Sequence, residues 1–336
     1  MSLTVVIPAA RFSAAQGVDP TLDLDLPGLR ALLGRADLAE TAGSSPEALL
    51  RGWFGAEAVG AAQLGLRLDW PDAPPGFWLR ADPVHLRADR DAVLLLGHGG
   101  LGIDPSEAEA LTGALNRLFG ADGLHFYAPH PDRWYLRLDQ DPGLTTTAPV
   151  EVLGSDIHPH LPRGEAALRW HALINEMQML LYTHSVNDAR ELAGKPAVNS
   201  LWLWGEGPAP ADLRRPFARV CGDDATLAAL AVAADVPQRP LPPTLDGEVS
   251  GSDTLLWLDA LSGPGRLGDL MAWREALQAL DHVWLQTLLA AWKSGAIPHL
   301  RLVFPDSGGN LTAELKPATR WKFWRGAAPV RRLALA

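Results

Sequence analysis

The chain has 336 residues, with 29 Lys+Arg against 39 Asp+Glu and a formal net charge of −10. That acidic balance argues against nucleic-acid wrapping or docking on an anionic membrane, and 47% hydrophobic with 20% charged residues excludes a disordered chain. At about 150 residues per domain, the length fits two domains or one large α/β domain carrying an insertion.

Cys221 is the only cysteine, so no intrachain disulfide and no Cys-rich zinc site is expected. The amino terminus, MSLTVVIPAA, has no basic n-region, and no run approaches the ~20 apolar residues that span a bilayer. A cytoplasmic location is expected. Lys195, Lys293, Lys316 and Lys322 are the only lysines, and thirteen tryptophans stand against three tyrosines.

In chain order, Leu3 to Ile7 reads as a buried strand stopped by Pro8. Leu26 to Ala39 reads as a helix after Pro27. Trp70 to Gly76 (WPDAPPG) is a Pro/Gly break. Phe77 to Leu79, His85 to Arg87 and Ala92 to Leu96 follow as strands. Asp104, Pro105 and Glu107 mark a helix start that runs to Phe119. His125 to Tyr127 and Trp134 to Leu138 are two more strands, and Asp141 to Pro149 is a second break. An α+β unit is thus expected over 73–149, inserted into a core made of 1–72 and 150–336.

The second half opens with the best helical pattern, Arg163 to Tyr182. Its Trp170, Leu173, Ile174, Met177, Leu180 and Leu181 share one face. Asn187 to Ala193 is a short helix ended by Gly194. Ser200 to Trp204 (SLWLW) is a buried strand. Thr226 to Ala234 is helical, Thr254 to Leu258 a strand, Leu267 to Lys293 a long helix, and Leu300 to Phe304 a strand with a hairpin into Leu311 to Leu315. Strands alternating with helices predict an α/β fold with a mostly parallel sheet flanked by helices.

Four constellations bear on chemistry. Gly97-His98-Gly99-Gly100-Leu101-Gly102 has the G-x-G-x-x-G spacing before a helix, but Asp104 and Glu107 already place negative charge at that helix end and would repel a pyrophosphate. Asp156, His158 and His160 offer an oxygen and two imidazoles suited to manganese or zinc, or to capping the helix that follows. Cys221, beside Gly-Asp-Asp, reads as an inert thiol. Arg320-Trp321-Lys322-Phe323-Trp324-Arg325 alternates cations and aromatics. It reads as an edge strand packed on the core, or as a partner surface at Trp324 and Arg325.

The stretch His184-Ser185-Val186-Asn187, continued by Gly194-Lys195-Pro196-Ala197-Val198-Asn199 and Trp204-Gly205-Glu206-Gly207, resembles the H-P-x-N…G-x-P-x-N…G-x-G signature of archaeal-type cofactor-independent phosphoglycerate mutases. With FWLRADPVHLR (Phe77 to Arg87), RWYLRL (Arg133 to Leu138) and WKFWR (Trp321 to Arg325), it resembles the mutase-like RpfE-type regulatory proteins more closely. The resemblance implies an alkaline-phosphatase-like α/β core with a small α+β insertion. It also implies two divalent metals, held by Asp and His at strand ends, that activate a serine.

The sequence departs from that pattern where the metals would bind. The first strand runs Val5-Val6-Ile7-Pro8-Ala9-Ala10 without the metal-binding Asp. The H-x-x-D-x-x-x-H region reads Asp259-Ala260-Leu261-Ser262-Gly263-Pro264-Gly265, and the Asp-His pair reads Asp306-Ser307. Ser44 or Ser45 falls near the nucleophile's place. Two-metal transfer needs several ligands to hold ions ~4 Å apart. The expectation is therefore a mutase-like protein with no catalytic residues and no metal, acting by binding an unknown protein or a small phosphorylated metabolite. His184, Asn187 and Asn199 would serve as ligand contacts or as architecture. The alternatives are a mutase or phosphohydrolase with rearranged ligands, and a docking module built on the C-terminal strip.

Overall fold

The computed structural model describes residues 2–12, 19–250 and 253–321. Two compact units divide the chain: unit 1 is Met1–Glu57 with Asp212–Ala336, and unit 2 is Ala58–Ala211. Unit 2 is wider than the 73–149 segment read from the Pro/Gly breaks. The reason is strand pairing, because SLWLW joins the sheet of unit 2 rather than the parallel core.

Unit 1 opens with β1 (Ser2–Val6), α1 (Pro27–Arg35), β2 (Asp37–Thr41) and α2 (Pro46–Phe54). The helix expected to Ala39 ends at Arg35, and the charged stretch after it becomes a strand. In unit 2 come α3 (Ala61–Asp69), a 13-residue β3 (Phe77–Asp89), β4 (Ala92–His98) and α4 (Pro105–Phe119). Then follow β5 (His125–His130), β6 (Arg133–Leu138), α5 (Ala167–Tyr182), α6 (Ser185–Leu192) and β7 (Ser200–Trp204). The chain returns to unit 1 as β8 (Arg219–Cys221), α7 (Ala225–Ala233), β9 (Gln238–Arg239) and β10 (Thr254–Trp257). Three helices, α8 (Ser262–Leu267), α9 (Leu270–Leu280) and α10 (Gln286–Ser294), precede β11 (His299–Phe304) and β12 (Asn310–Leu315).

The sheet of unit 1 has the order β2-β12-β11-β1-β10-β8-β9. Strands β11, β1, β10, β8 and β9 are mutually parallel, while β12 runs antiparallel to both β11 and β2. Its core gathers Val5, Ile7, Leu256, Leu302 and Phe304 with Trp273, Leu288 and Trp292 from the helices, all buried. Parallel strands covered in this way read as continuous apolar runs, as TVV, LLW and LVF do.

The sheet of unit 2 is antiparallel, in the order β4-β3-β6-β5, with β7 also on β3. One face packs on α4 and α5 through Leu111, Leu115, Trp170, Ile174 and Met177. The α4 terminus has the expected capping box between Asp104 and Glu107. Helix α5 starts at Ala167 with Ala166 at its N-cap, so neither Asp156 nor His160 caps it.

The long helix expected over Leu267 to Lys293 is instead α9 and α10 joined by a π-helical turn, Asp281–Leu285. Residues Pro317–Trp321 form a 3-10 turn rather than strand. Trp324 and Arg325 lie outside the described residues. Among the described residues no helix is long and apolar enough to cross a membrane.

Candidate functional site

In an open parallel sheet, the loops leaving the carboxyl ends of neighbouring strands gather on one edge, where α/β proteins place their sites. In unit 1 these loops carry Asp223 and Asp224 after β8, Asp259 and Ser262 after β10, and Asp306 after β11. Ser44 arrives at the same edge, its backbone N–H donating to the Asp306 carbonyl at 3.1 Å. The approach needs Gly43, since a Cβ there would stand 2.0 Å from the Ser307 carbonyl oxygen.

Asp224, Asp259 and Asp306 each have a partner in their own turn, while Asp223 accepts the Leu241 N–H at 3.2 Å. The Ser262 hydroxyl donates to Asp259. Asp224 accepts the Leu227 N–H at 2.8 Å as the N-cap of α7. Asp306 accepts the Gly308 N–H at 2.8 Å, with Arg11 Nη1 3.9 Å away. Burial pushes the Asp259 carboxyl above the ordinary range, against the bond from Ser262. Burial also raises Asp224, helped by the charges of Asp259 and Glu47. Both shifts come chiefly from burial, with like charge adding to that of Asp224.

The Ser44 hydroxyl accepts a hydrogen bond from Asn310 Nδ2 at 2.9 Å, and Asn310 Oδ1 in turn accepts the N–H of Asp306 at 3.0 Å. Ser45 is occupied as the N-cap of α2, its hydroxyl accepting from Ala48 N at 3.1 Å. Among the described residues, the donor set on this edge is carboxylate, hydroxyl and amide without imidazole. Among the described residues no group of three or more His, Cys, Asp or Glu side chains is placed to hold a metal ion. These residues do not fit a pair of divalent ions.

Unit 2 holds the resemblance's long motif. Asn187 is buried and bridges two segments, donating to the carbonyls of Leu181 (2.7 Å) and Val198 (2.9 Å) and accepting the Val198 N–H at 2.8 Å. Asn199 makes a paired bond to the backbone of Leu86, accepting from its N–H and donating to its C=O, both at 2.8 Å. His184 caps α6 through Nδ1, which accepts the Val186 N–H at 3.2 Å. All three side chains tie backbone to backbone. Asp156 and His158 pair at 2.8 Å on an exposed turn, and that bond holds Asp156 below the ordinary carboxylate range. The two do not combine with His160 into a ligand set. Cys221 is fully buried on β8.

A buried charged network escaped the sequence reading. Asp82 on β3 is fully buried and accepts from Arg80 Nε (2.9 Å), Arg80 Nη2 (2.6 Å), His98 Nε2 (3.1 Å) and Trp204 Nε1 (2.8 Å). The Arg80 guanidinium lies over the rings of Tyr135 and Trp204, at 5.1 and 5.5 Å from their centroids. Burial alone would raise Asp82, but Arg80, His98 and Trp204 outweigh it and hold the group below the ordinary range. Asp69, bonded by Arg133 and by the Tyr135 hydroxyl, is held low against burial in the same way. The signal in the sequence was the i, i+2 spacing of Arg80 and Asp82, which puts both on one face of a strand.

The fold and the strand-end edge define an α/β protein with an inserted antiparallel unit. It aligns with the PH0037 protein of Pyrococcus horikoshii at a TM-score of 0.53 and 12% identity, over 98% of this chain and 92% of that one, a likeness of fold alone. In sequence it is similar to a probable 2,3-bisphosphoglycerate-independent phosphoglycerate mutase of Geobacter sulfurreducens, 31% identical over 162 residues, 47% of this chain and 39% of that protein. A 2,3-bisphosphoglycerate-independent phosphoglycerate mutase of Methanosarcina mazei is 31% identical over 146 residues, 41% of this chain and 36% of that protein. The matches thus span under two fifths of these relatives' length. No family model matches the chain.

Proposed function

We propose that the chain is a mutase-like protein with a binding or regulatory role in place of two-metal phosphoryl transfer. The observation that carries this reading is the environment of Ser44. A serine attacks phosphorus only when a base takes its proton or a metal lowers its pKa. The group against the Ser44 hydroxyl is Asn310 Nδ2, a donor that occupies a lone pair and accepts no proton. Asp224, Asp259 and Asp306 accept hydrogen bonds from groups in their own turns. The resemblance to RpfE-type regulatory proteins supports the same reading.

A second reading has a specific observation in its favour. The relatives named above are called phosphoglycerate mutases, and on the comparisons alone catalysis with rearranged ligands, and with manganese or zinc as cofactor, is the better supported. Metal analysis after dialysis decides between the two. The binding role predicts less than one equivalent of manganese or zinc per chain, whereas two retained equivalents would count against it and favour the catalytic reading.

A further inference from the structure

Unit 2 carries an open cleft of about 640 Å³ that neither reading uses. The glycine turn after β4, with Gly99 and Gly100, forms one wall, and Glu191, Gly194 and Lys195 form the other, with His85 also lining it. One fully buried side chain sets the distance between the walls. Arg190 donates from Nε to the Pro196 carbonyl (2.8 Å), from Nη2 to the Leu101 carbonyl (2.6 Å) and from Nη1 to Glu107 (2.6 Å). The cleft is thus built before any ligand arrives, which removes an ordering cost from binding.

His85 and Lys195 have definite partners, and Glu191 adds an exposed carboxylate to the rim. His85 Nδ1 lies 2.9 Å from the Ala197 carbonyl oxygen. A carbonyl only accepts, so Nδ1 carries a proton, and in the neutral ring Nε2 holds the lone pair. The Lys195 ammonium is held loosely, 3.4 Å from both Asp104 and the Gly102 carbonyl, and its side chain is 40% exposed. Gly99 and Gly100 are exposed, with φ of 68° and 67°, and nothing lies within 4 Å of where a Cβ would stand. Their backbone N–H groups are open to close approach. The acids at the start of α4 are each paired, Glu107 with Arg190 and Asp104 with Lys195.

We infer that this cleft binds a small oxyanion-bearing metabolite that also carries a hydroxyl. The oxyanion would lie against Lys195 and the Gly99–Gly100 amides, and the hydroxyl would donate to His85 Nε2. The inference deepens the binding role proposed above and rests on it.

The test is an NMR titration of the full chain, following the His85 ring and the Gly99 and Gly100 amides. The probes are sn-glycerol 3-phosphate, inorganic phosphate and glycerol. Glycerol 3-phosphate is expected to give saturable shifts at all three residues. Affinity should fall about tenfold or more in Lys195→Met, and about tenfold for phosphate alone, as for loss of one charge-assisted or one ordinary bond. Glycerol should give no shift. Equal affinity for phosphate and glycerol 3-phosphate would mean an adventitious ion only. That result, an unchanged affinity in Lys195→Met, or no saturable shift at these residues would overturn the assignment. A mutase assay monitors none of these signals, so failure of the cleft and failure of the non-catalytic reading are separately visible.

Discussion

Asp82 is a fully buried counter-charge in unit 2. Removing it leaves the Arg80 guanidinium buried and without its counter-charge, a change that costs about 3–5 kcal/mol. Asp82→Ala is therefore expected to lower the denaturant midpoint far more than Asp156→Ala on its exposed turn. The pH dependence follows from the same shifts. Asp82 and Asp69 have folded pKa values below their unfolded ones, so their stabilisation is complete above about pH 4 and is lost as pH falls through the folded values. Asp259 behaves oppositely. Its folded value is raised, so stability is undiminished below the unfolded pKa and declines as pH rises through the folded one. Asp259→Asn should thus raise the unfolding midpoint at pH 7 and leave it unchanged near pH 3. A lowered midpoint at pH 7 would contradict the burial argument.

Helix α1 shows how an element can depend on a residue far away in sequence. Its own N-cap position, Leu26, supplies no side-chain acceptor. The buried carboxylate of Asp281 supplies it instead, accepting from Gly28 N (3.1 Å) and Leu29 N (2.6 Å). Asp281 belongs to the π-helical turn that splits the helix expected over Leu267 to Lys293. The apolar period predicts helix over this stretch, yet cannot show that the run starts at Leu270 or that one acid turns inward to serve another element. Asp281→Ala should cost about 1–2 kcal/mol, the loss of a cap, measured by chemical denaturation, while Glu275→Ala on the same helical run should cost little.

Strand β2 was illegible for a related reason. DLAET is mostly exposed and lies at the sheet edge, so it carries no apolar alternation, and the preceding helical period absorbs it. The strands β1, β10 and β11 were legible because parallel strands covered on both faces read as apolar runs. The sequence leaves Asn187 and Asn199 as ligand contacts or as architecture. Ligand contact and backbone bridging use the same amide, and only the partners at Val198 and Leu86 tell them apart.

At the scale of the molecule, the Pro/Gly breaks of the sequence and the division into two compact units fall at different places. The breaks at WPDAPPG and Asp141 to Pro149 mark turns within unit 2, whereas the contact boundary falls at Glu57/Ala58 and Ala211/Asp212. Proline and glycine report local chain reversal; which sheet SLWLW joins is a non-local pairing that composition does not encode. The candidate site was half legible. The strand ends without histidine were apparent in the sequence, but the amide donor against Ser44 appears only in the structure. The central claim is that this edge does not carry out phosphoryl transfer. Its most direct test is interconversion of 3-phosphoglycerate and 2-phosphoglycerate by the purified chain with added manganese, run beside Ser44→Ala. The account predicts no turnover above the enzyme-free blank for either protein. Turnover by the unaltered chain that disappears in Ser44→Ala would contradict it.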